Sequence, residues 1–529
     1  MRSRFRLPFA RWLAPVAAGS IAALASATTV FGGTLTAGTP VQAPDHPFPG
    51  TSAACDQAIA ASKAAGSKNF PGAEVEPFVA VDPTNSQHLI ATFQQDRWND
   101  GGANGLINVV STNGGKSWTL ASAQPKFSIC EGATSGAPGF FSRASDPWVS
   151  IGPDGIAYSI AIAFNVNGPA FGGASSVIVS RSIDGGVTWQ TPVTAEFDSS
   201  FTVLNDKESV TANPLASGVA YAVWDRLVSP STNANPDAFN VTPAFRGPAL
   251  FSKTTDGGVT WSKGRIIFDP GQNDQTIGNQ IVVPTAGPAK GVLVDGFNLI
   301  TTHVPGFRSP KFSQSFNVAV IRSTDGGATF SEPVVISPIV DAPVTIPITG
   351  QAVRTGDILP EFAAGPEGNL YAAWQDGRFS RTGAAKVAFS MSKDGGLTWS
   401  TPIRIDQSPD NIQAFTPVVH ATSDGTVGVT YYDFENGTAA QPGLTDEFIV
   451  HCHAATSDCA NSANWAAGGE TRLSTTGSFD MTTAPVARGF FTGDYEGLTS
   501  SGSTFDPFFV MALPIATKGN TDPFSNTAH

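Results

Sequence analysis

One eight-residue pattern recurs along the chain at a nearly constant step. It reads STNGGKSW at 111–118, SIDGGVTW at 182–189, TTDGGVTW at 254–261, STDGGATF at 323–330 and SKDGGLTW at 392–399. The closing aromatics Trp118, Trp189, Trp261, Phe330 and Trp399 are spaced 71, 72, 69 and 69 residues apart. TSDCANSANW at 456–465 reads as a worn sixth copy, 66 residues further on. A period of this size calls for an array of similar units, each packed on its neighbour. It overrides the estimate of about three domains that length alone suggests.

A second pattern precedes each copy. EPFVAVDPTNSQHLIATFQQDR (76–97), SDPWVSIGPDGIAYSIAIAFN (145–165), KESVTANPLASGVAYAVWDR (207–226), LPEFAAGPEGNLYAAWQDGR (359–378) and TPVVHATSDGTVGVTYYDFE (416–435) each hold two apolar runs around a turn, with a weaker copy at 279–300. These are hairpins. With the strand before the aspartate turn and the strand carrying the aromatic, each unit has four antiparallel strands, as a propeller blade does. The composition agrees: 55 Gly, 39 Pro and only 14% charged residues describe a turn-rich all-β chain.

The turn composition has a structural reason. An Asp side chain accepts hydrogen bonds from backbone N–H groups just ahead of it, and Gly-Gly supplies positive φ. The Trp buries a large apolar surface. Asn113, Asp184, Asp256, Asp325 and Asp394 are therefore read as scaffold rather than active-site residues.

The ends of the chain carry different signals. Arg2, Arg4, Arg6 and Arg11 precede an apolar run of small residues, and Ala25-Ser26-Ala27 offers a cleavage site. Residues 1–27 read as a secretory signal peptide, with Val41-Gln42-Ala43 a later alternative site. Residues 28–74 then form an N-terminal segment that helps close the array, 75–513 the repeat domain, and 514–529 a tail. No other segment reads as a membrane span, so an exported monomer is expected. The four cysteines suit an oxidising compartment. They allow three pairings, and the reading adopted joins Cys452 to Cys459 and Cys55 to Cys130. The net charge of −13 carries no basic footprint for nucleic acid. No cofactor or metal motif is present. His451 and His453 share a strand face but are too few ligands for zinc.

Antiparallel order places a site. In each unit the first strand starts where the second ends, and the aspartate turns lie on the opposite face. The first face collects Glu74, Glu76, Asp96-Arg97, Arg143, Asp146, Asp206-Lys207-Glu208, Asp225-Arg226, Arg354, Asp357, Asp376, Arg378, Asp433 and Asp494-Tyr495-Glu496. Convergent polar groups at the mouth of a fold mark the candidate site.

The S/T-x-D-G-G-x-T-W copies resemble the Asp-box, or BNR, repeats of the sialidase superfamily, and most closely the secreted bacterial sialidase-like proteins. The resemblance covers roughly residues 75–513 and implies an all-β propeller of six or seven four-stranded blades. It implies an exo-acting sialidase that binds a glycan and needs no cofactor. Arginine forks would clamp a substrate carboxylate, and a neutral Tyr would act as nucleophile beside a carboxylate base. Tyr495 matches the nucleophile's place and Arg354 a clamp position, with Arg97, Arg226 and Arg378 as further clamp candidates. Asp96 or Asp100 would be the acid/base, and Glu208 or Glu361 the partner of Tyr495.

One departure stands out. Where sialidases carry an arginine on the first strand, this chain has VEPF, with Glu76 before Pro77. Two other functions therefore remain. One is a non-catalytic propeller that binds a glycan or protein. The other is a glycosidase for neutral glycans using a carboxyl pair, either Asp376 with Asp494 or Asp96 with Glu208.

Overall fold

A computed structural model describes residues 34–166, 173–235, 242, 244–303, 312–514 and 521–529. The expected signal peptide, 1–27, lies outside them. The chain is nearly all β and propeller-like.

Strand pairing follows the repeat. The innermost strands are Glu74–Asp82, Arg143–Ile151, Val203–Ala212, Gln275–Val282, Glu361–Ala364, Ala414–Ala421 and Gly497–Ser501. Each begins a four-stranded antiparallel group, and the Ala103–Ala144 pair joins the first two groups into one sheet. Each inner strand packs on the next, and Gly497–Ser501 packs on Glu74–Asp82. The last group draws on both chain ends: Thr521–Ser525 pairs with Thr504–Ala512 on one side and Val41–Gln42 on the other. Residues 514–529, expected as a tail, thus supply an integral strand. Ladder hydrogen bonds are unsatisfied at a free edge, and the distant N-terminal strand covers this one.

The aspartate turns are built as their chemistry demands. In the second group Asp184 accepts from the Thr188 amide at 2.9 Å and the Thr188 hydroxyl at 2.5 Å, and the Gly186 amide donates to Ser182 Oγ at 2.8 Å. Gly185 and Gly186 have φ of 73° and 80°, which side chains rarely adopt. Asp256, Asp325 and Asp394 repeat these bonds, while Asn113 accepts the Ser117 amide with its Oδ1 and donates its Nδ2 to Ser117 Oγ at 2.8 Å.

The residue before the turn also latches neighbouring groups together. Arg181 donates to the Gly257 carbonyl at 2.9 Å, Lys253 to Gly326 at 3.1 Å and Arg322 to Gly395 at 2.7 Å. The aromatics pack across the same seams: Trp261 lies edge-on to Tyr158 and Trp118 tilts against Phe508. The worn copy at 456–465 has lost the turn. The Cys452–Cys459 disulfide and a short helix, Ser462–Gly468, replace it, and Trp465 packs edge-on to Phe389.

The N-terminal segment holds a helix, Ala53–Ala64, capped by Ser52. A disulfide from Cys55 to Cys130 fastens it to the first group. Both cysteine pairs are as the sequence reading had them. Among the described residues no helix is long and apolar enough to cross a membrane.

Replacing Asp184 by Ala removes its bonds to Thr188 and should lower unfolding free energy by about 1–2 kcal/mol. Urea denaturation checks this. Ligand binding at the opposite face should be unchanged.

Candidate functional site

The site begins in a backbone irregularity. In five groups the innermost strand sets two residues opposite one: 76–77, 146–147, 207–208, 278–279 and 416–417. The first residue of each bulge is left-handed: Glu76, Asp146, Lys207, Gly278 and Thr416 have φ of 53°, 54°, 49°, 74° and 51°. Glycine tolerates this. For the other four it costs about 1–3 kcal/mol each. Such bulges re-aim side chains, and here they bring Glu76, Asp146 and Lys207 together.

Lys207 is the hub. Its Nζ lies 2.9 Å from Asp494 Oδ2 and 3.5 Å from both Asp146 Oδ2 and Glu76 Oε1. Arg354 grips the same Asp494 through two nitrogens, at 2.9 and 2.5 Å. Arg97 donates to Gln94 Oε1 at 2.7 Å and sits 3.9 Å from Glu76. Both guanidiniums lie over the Phe491 ring, 4.7 and 4.4 Å from its centre.

This packing sets the charges. Burial disfavours the Lys207 ammonium, yet Asp146, Asp494 and Glu76 outweigh it and hold its proton more tightly than usual. Burial likewise works against the Asp494 carboxylate, but Arg354 and Lys207 hold it far below the ordinary carboxyl range. Glu76 is pushed up by burial, with Lys207 opposing. Burial lowers Arg97 to about 10.

A pocket of about 20 Å³ adjoins the cluster, lined by Asp146, Trp148, Lys207, Glu208, Asn279, Glu361 and Tyr495 among others. No arginine lines it. Burial pushes Glu208 well above the ordinary range, with Asp146 adding to the effect, and raises Glu361 to about 8 against a Gln280 hydrogen bond. Tyr495 donates to the Pro147 carbonyl at 3.2 Å, and its ring centre lies 5.4 Å from Lys207 Nζ and 5.5 Å from the Trp148 ring. Burial, then the carboxylates around it, raise its phenol strongly. Beneath the pocket a lumen of about 230 Å³ is bordered by all seven innermost strands. Trp148, stacked on Phe78 at 3.6 Å, borders both spaces.

Several candidates sit elsewhere. Arg226 pairs with Asp198 at 2.8 Å and Glu196 at 3.4 Å. Arg378 pairs with Asp376, which also accepts from the Trp374 indole at 2.9 Å. Asp96 accepts from the Phe48 and Gly72 amides, at 2.8 and 2.6 Å, and anchors the N-terminal segment. Asp100 pairs with Arg143 at 2.7 Å. Each is spent on a structural partner, so none joins Tyr495. Of the four candidate clamp arginines, the structure groups only Arg97 and Arg354, and Asp494 and Glu76 occupy them. Neither of the two carboxyl pairs read from the sequence shares the pocket. The residues missed there include Trp148, Asn279 and Gln280, which lie four or five positions beyond the strand starts at Arg143 and Gln275. His453 bonds Thr426 at 2.9 Å. Among the described residues no group of three or more His, Cys, Asp or Glu is arranged to hold a metal.

No family model and no curated protein matches the chain. Solved structures with a similar course include an alpha-L-arabinanase of Penicillium chrysogenum, with 14% identity over 75% of this chain and 94% of that one at TM-score 0.44. The NanB sialidase of Streptococcus pneumoniae shows 9% identity over 87% and 94% at TM-score 0.42. A Hadza microbial sialidase shows 18% over 68% and 64% at 0.40. At this distance none of them bears on the chemistry of the site.

Two predictions follow from the charges. Lys207→Met strands buried carboxylates and should cost about 3–5 kcal/mol at pH 7. Urea titrations should show part of the loss disappearing below about pH 7, where Glu76, raised by burial, takes up its proton. For the whole protein, Glu361, Asp225 and Glu131 are raised by burial to about 8, and Asp433 and Glu470 to about 7. Unfolded carboxyls lose their protons near pH 4. Between those limits the folded state holds more protons, so stability should fall as pH rises from 5 to 8. Thermal melts across that range check the sign.

Proposed function

We propose that the protein is a glycoside hydrolase that works with carboxyl groups on a sugar residue that is not anionic. One observation carries this reading. Carboxyls in two kinds of environment share one pocket: Asp146 is ion-paired to Lys207, while Glu208 and Glu361 are desolvated and raised. A carboxyl that keeps its proton beside another held in an ion pair is a pattern of acid/base assignment. Glu361, raised to about 8, holds its proton at neutral pH and is assigned the general acid. Asp146 is the carboxylate that attacks or activates water. Trp148 offers an apolar wall for a sugar face.

The reading assumes that the seven strand groups are blades of one closed propeller, joined through Val41–Gln42. It also assumes export, since both disulfides suit an oxidising compartment. A sialidase would need free arginine forks in the pocket, and Arg97 and Arg354 are paired elsewhere. Their shared stacking on Phe491, near Tyr495, is what favours that second reading.

A panel of aryl glycosides and a fluorogenic sialoside decides between them. Turnover is expected on an uncharged or cationic glycoside and not on the sialoside. Glu361→Gln should lower kcat by about 10²–10⁴-fold with little change in KM, as loss of a general acid does. The wild-type rate should fall as pH rises through about 8, where Glu361 loses its proton. Turnover of the sialoside, abolished by Tyr495→Phe, would reverse the choice. No turnover on any glycoside would leave a binding propeller.

A further inference from the structure

The small pocket is short of hydrogen-bond donors. Glu208 and Asn279 are 3% and 1% exposed. Neither Glu208 oxygen, nor Asn279 Oδ1, has a hydrogen-bond partner of good geometry in the protein. The amides of Glu208 itself and of Ile162 lower its carboxyl against the effect of burial, but neither meets hydrogen-bond geometry. All three atoms belong to residues lining one space, and buried acceptors left unpaired cost about 1–3 kcal/mol each. They are satisfied only by something that brings several N–H or O–H bonds at once.

Size narrows the choice. About 20 Å³ exceeds the roughly 10–15 Å³ that one water needs, so the space takes a single group of that size and no whole sugar ring. A primary ammonium has that size and three donors. Aromatic faces add to the fit, since Trp148 and Tyr495 both line the space, and aromatic rings attract ammonium groups. The local charge permits a cation. Among the described residues Lys207 is the only cation lining the pocket, and Glu76, Asp146 and Asp494 already match it. Glu361 holds its proton at neutral pH and Glu208 is raised by burial, so an ammonium arriving beside Glu208 favours its carboxylate form and supplies the missing counter-charge. Solvent reaches the pocket's lining, since Lys207 keeps 10% of its side-chain surface.

We propose that this pocket receives the free ammonium group of an amino sugar, with Glu208 and Asn279 as its acceptors. The assignment rests on the hydrolase reading only for the choice of a sugar as carrier. Asp146, Lys207, Asp206, Glu361 and Tyr495 are the other charged or titratable groups around Glu208.

Calorimetric titration of the whole protein tests it without any activity. Glucosamine should bind saturably at pH 7, and N-acetylglucosamine and glucose at least tenfold more weakly. Glu208→Gln and, independently, Asn279→Leu should each weaken glucosamine at least tenfold. Circular dichroism shows whether each variant is folded, and two separate variants keep the test open if one is not. Equal binding of the three sugars, or none by glucosamine, overturns the proposal and leaves the space to a water. Binding of an Nα-acetyl-lysine amide in place of glucosamine overturns the sugar as carrier. Glucosamine binding without turnover of any glycoside would defeat the hydrolase reading and leave this site standing. Turnover with no preference for the amine would do the reverse.

Discussion

Everything at the mouth of this fold is arranged around one buried ammonium. Lys207 reaches Glu76 from the first strand group, Asp146 from the second and Asp494 from the segment before the last. Desolvating such groups is costly, and an apolar core of equal volume is often as stable. The arrangement is therefore poor as a source of stability and effective at fixing geometry. A lysine that must satisfy three carboxylates holds the strands carrying them in one relation. Arg354 and Arg97 extend the same network through Asp494 and Glu76.

That network decides what chemistry is left. Because Asp494 takes both Lys207 and Arg354, no strong cation remains free to clamp an anionic ligand. The lining groups outside that ion-pair network include Glu208, Glu361 and Asn279, on the third, fifth and fourth innermost strands or their bulges. They are acceptors or acids, and they face two aromatic rings. Acceptors of this kind suit hydrogen-bond donors, whereas the repeat resemblance implied a site for an anion.

How much of this was legible depends on the range of the interactions. The aspartate turns are local, since each bond runs between residues two to four apart, so eight letters were enough to read them. Cys452 and Cys459, with a separation of 7, were read in the same local way, whereas Cys55–Cys130, with a separation of 75, was only the pair that remained. The charges at strand ends were visible too, but their partners were not. Arg226, Arg378 and Asp96 look like their central counterparts in sequence, and only the fold shows Asp198, Asp376 and two N-terminal backbone amides beside them. One signal was present and passed over. Set side by side, EP at 76, DP at 146, KE at 207, GN at 278 and TP at 416 mark one bulge position in five repeats. Four of the five are not glycine although the backbone is left-handed, which points to strain held at a working face.

The two ends of the strands therefore answer to different demands. At the turn end the aspartate side chains are matched locally, and each latch from Arg181, Lys253 or Arg322 ties one group to the next. At the mouth, left-handed non-glycine residues and unpaired acceptors persist at the cost of stability. A fold can keep such a mouth only if its shape is fixed elsewhere, because strained residues relax unless their surroundings over-determine them. The repeat supplies that rigidity about every 70 residues, at the far end of the strands from the pocket. Its regularity and the irregularity of the mouth are thus one arrangement: the turns hold the strands in place, and the five bulges use that hold to aim Glu76, Asp146 and Lys207 at one another.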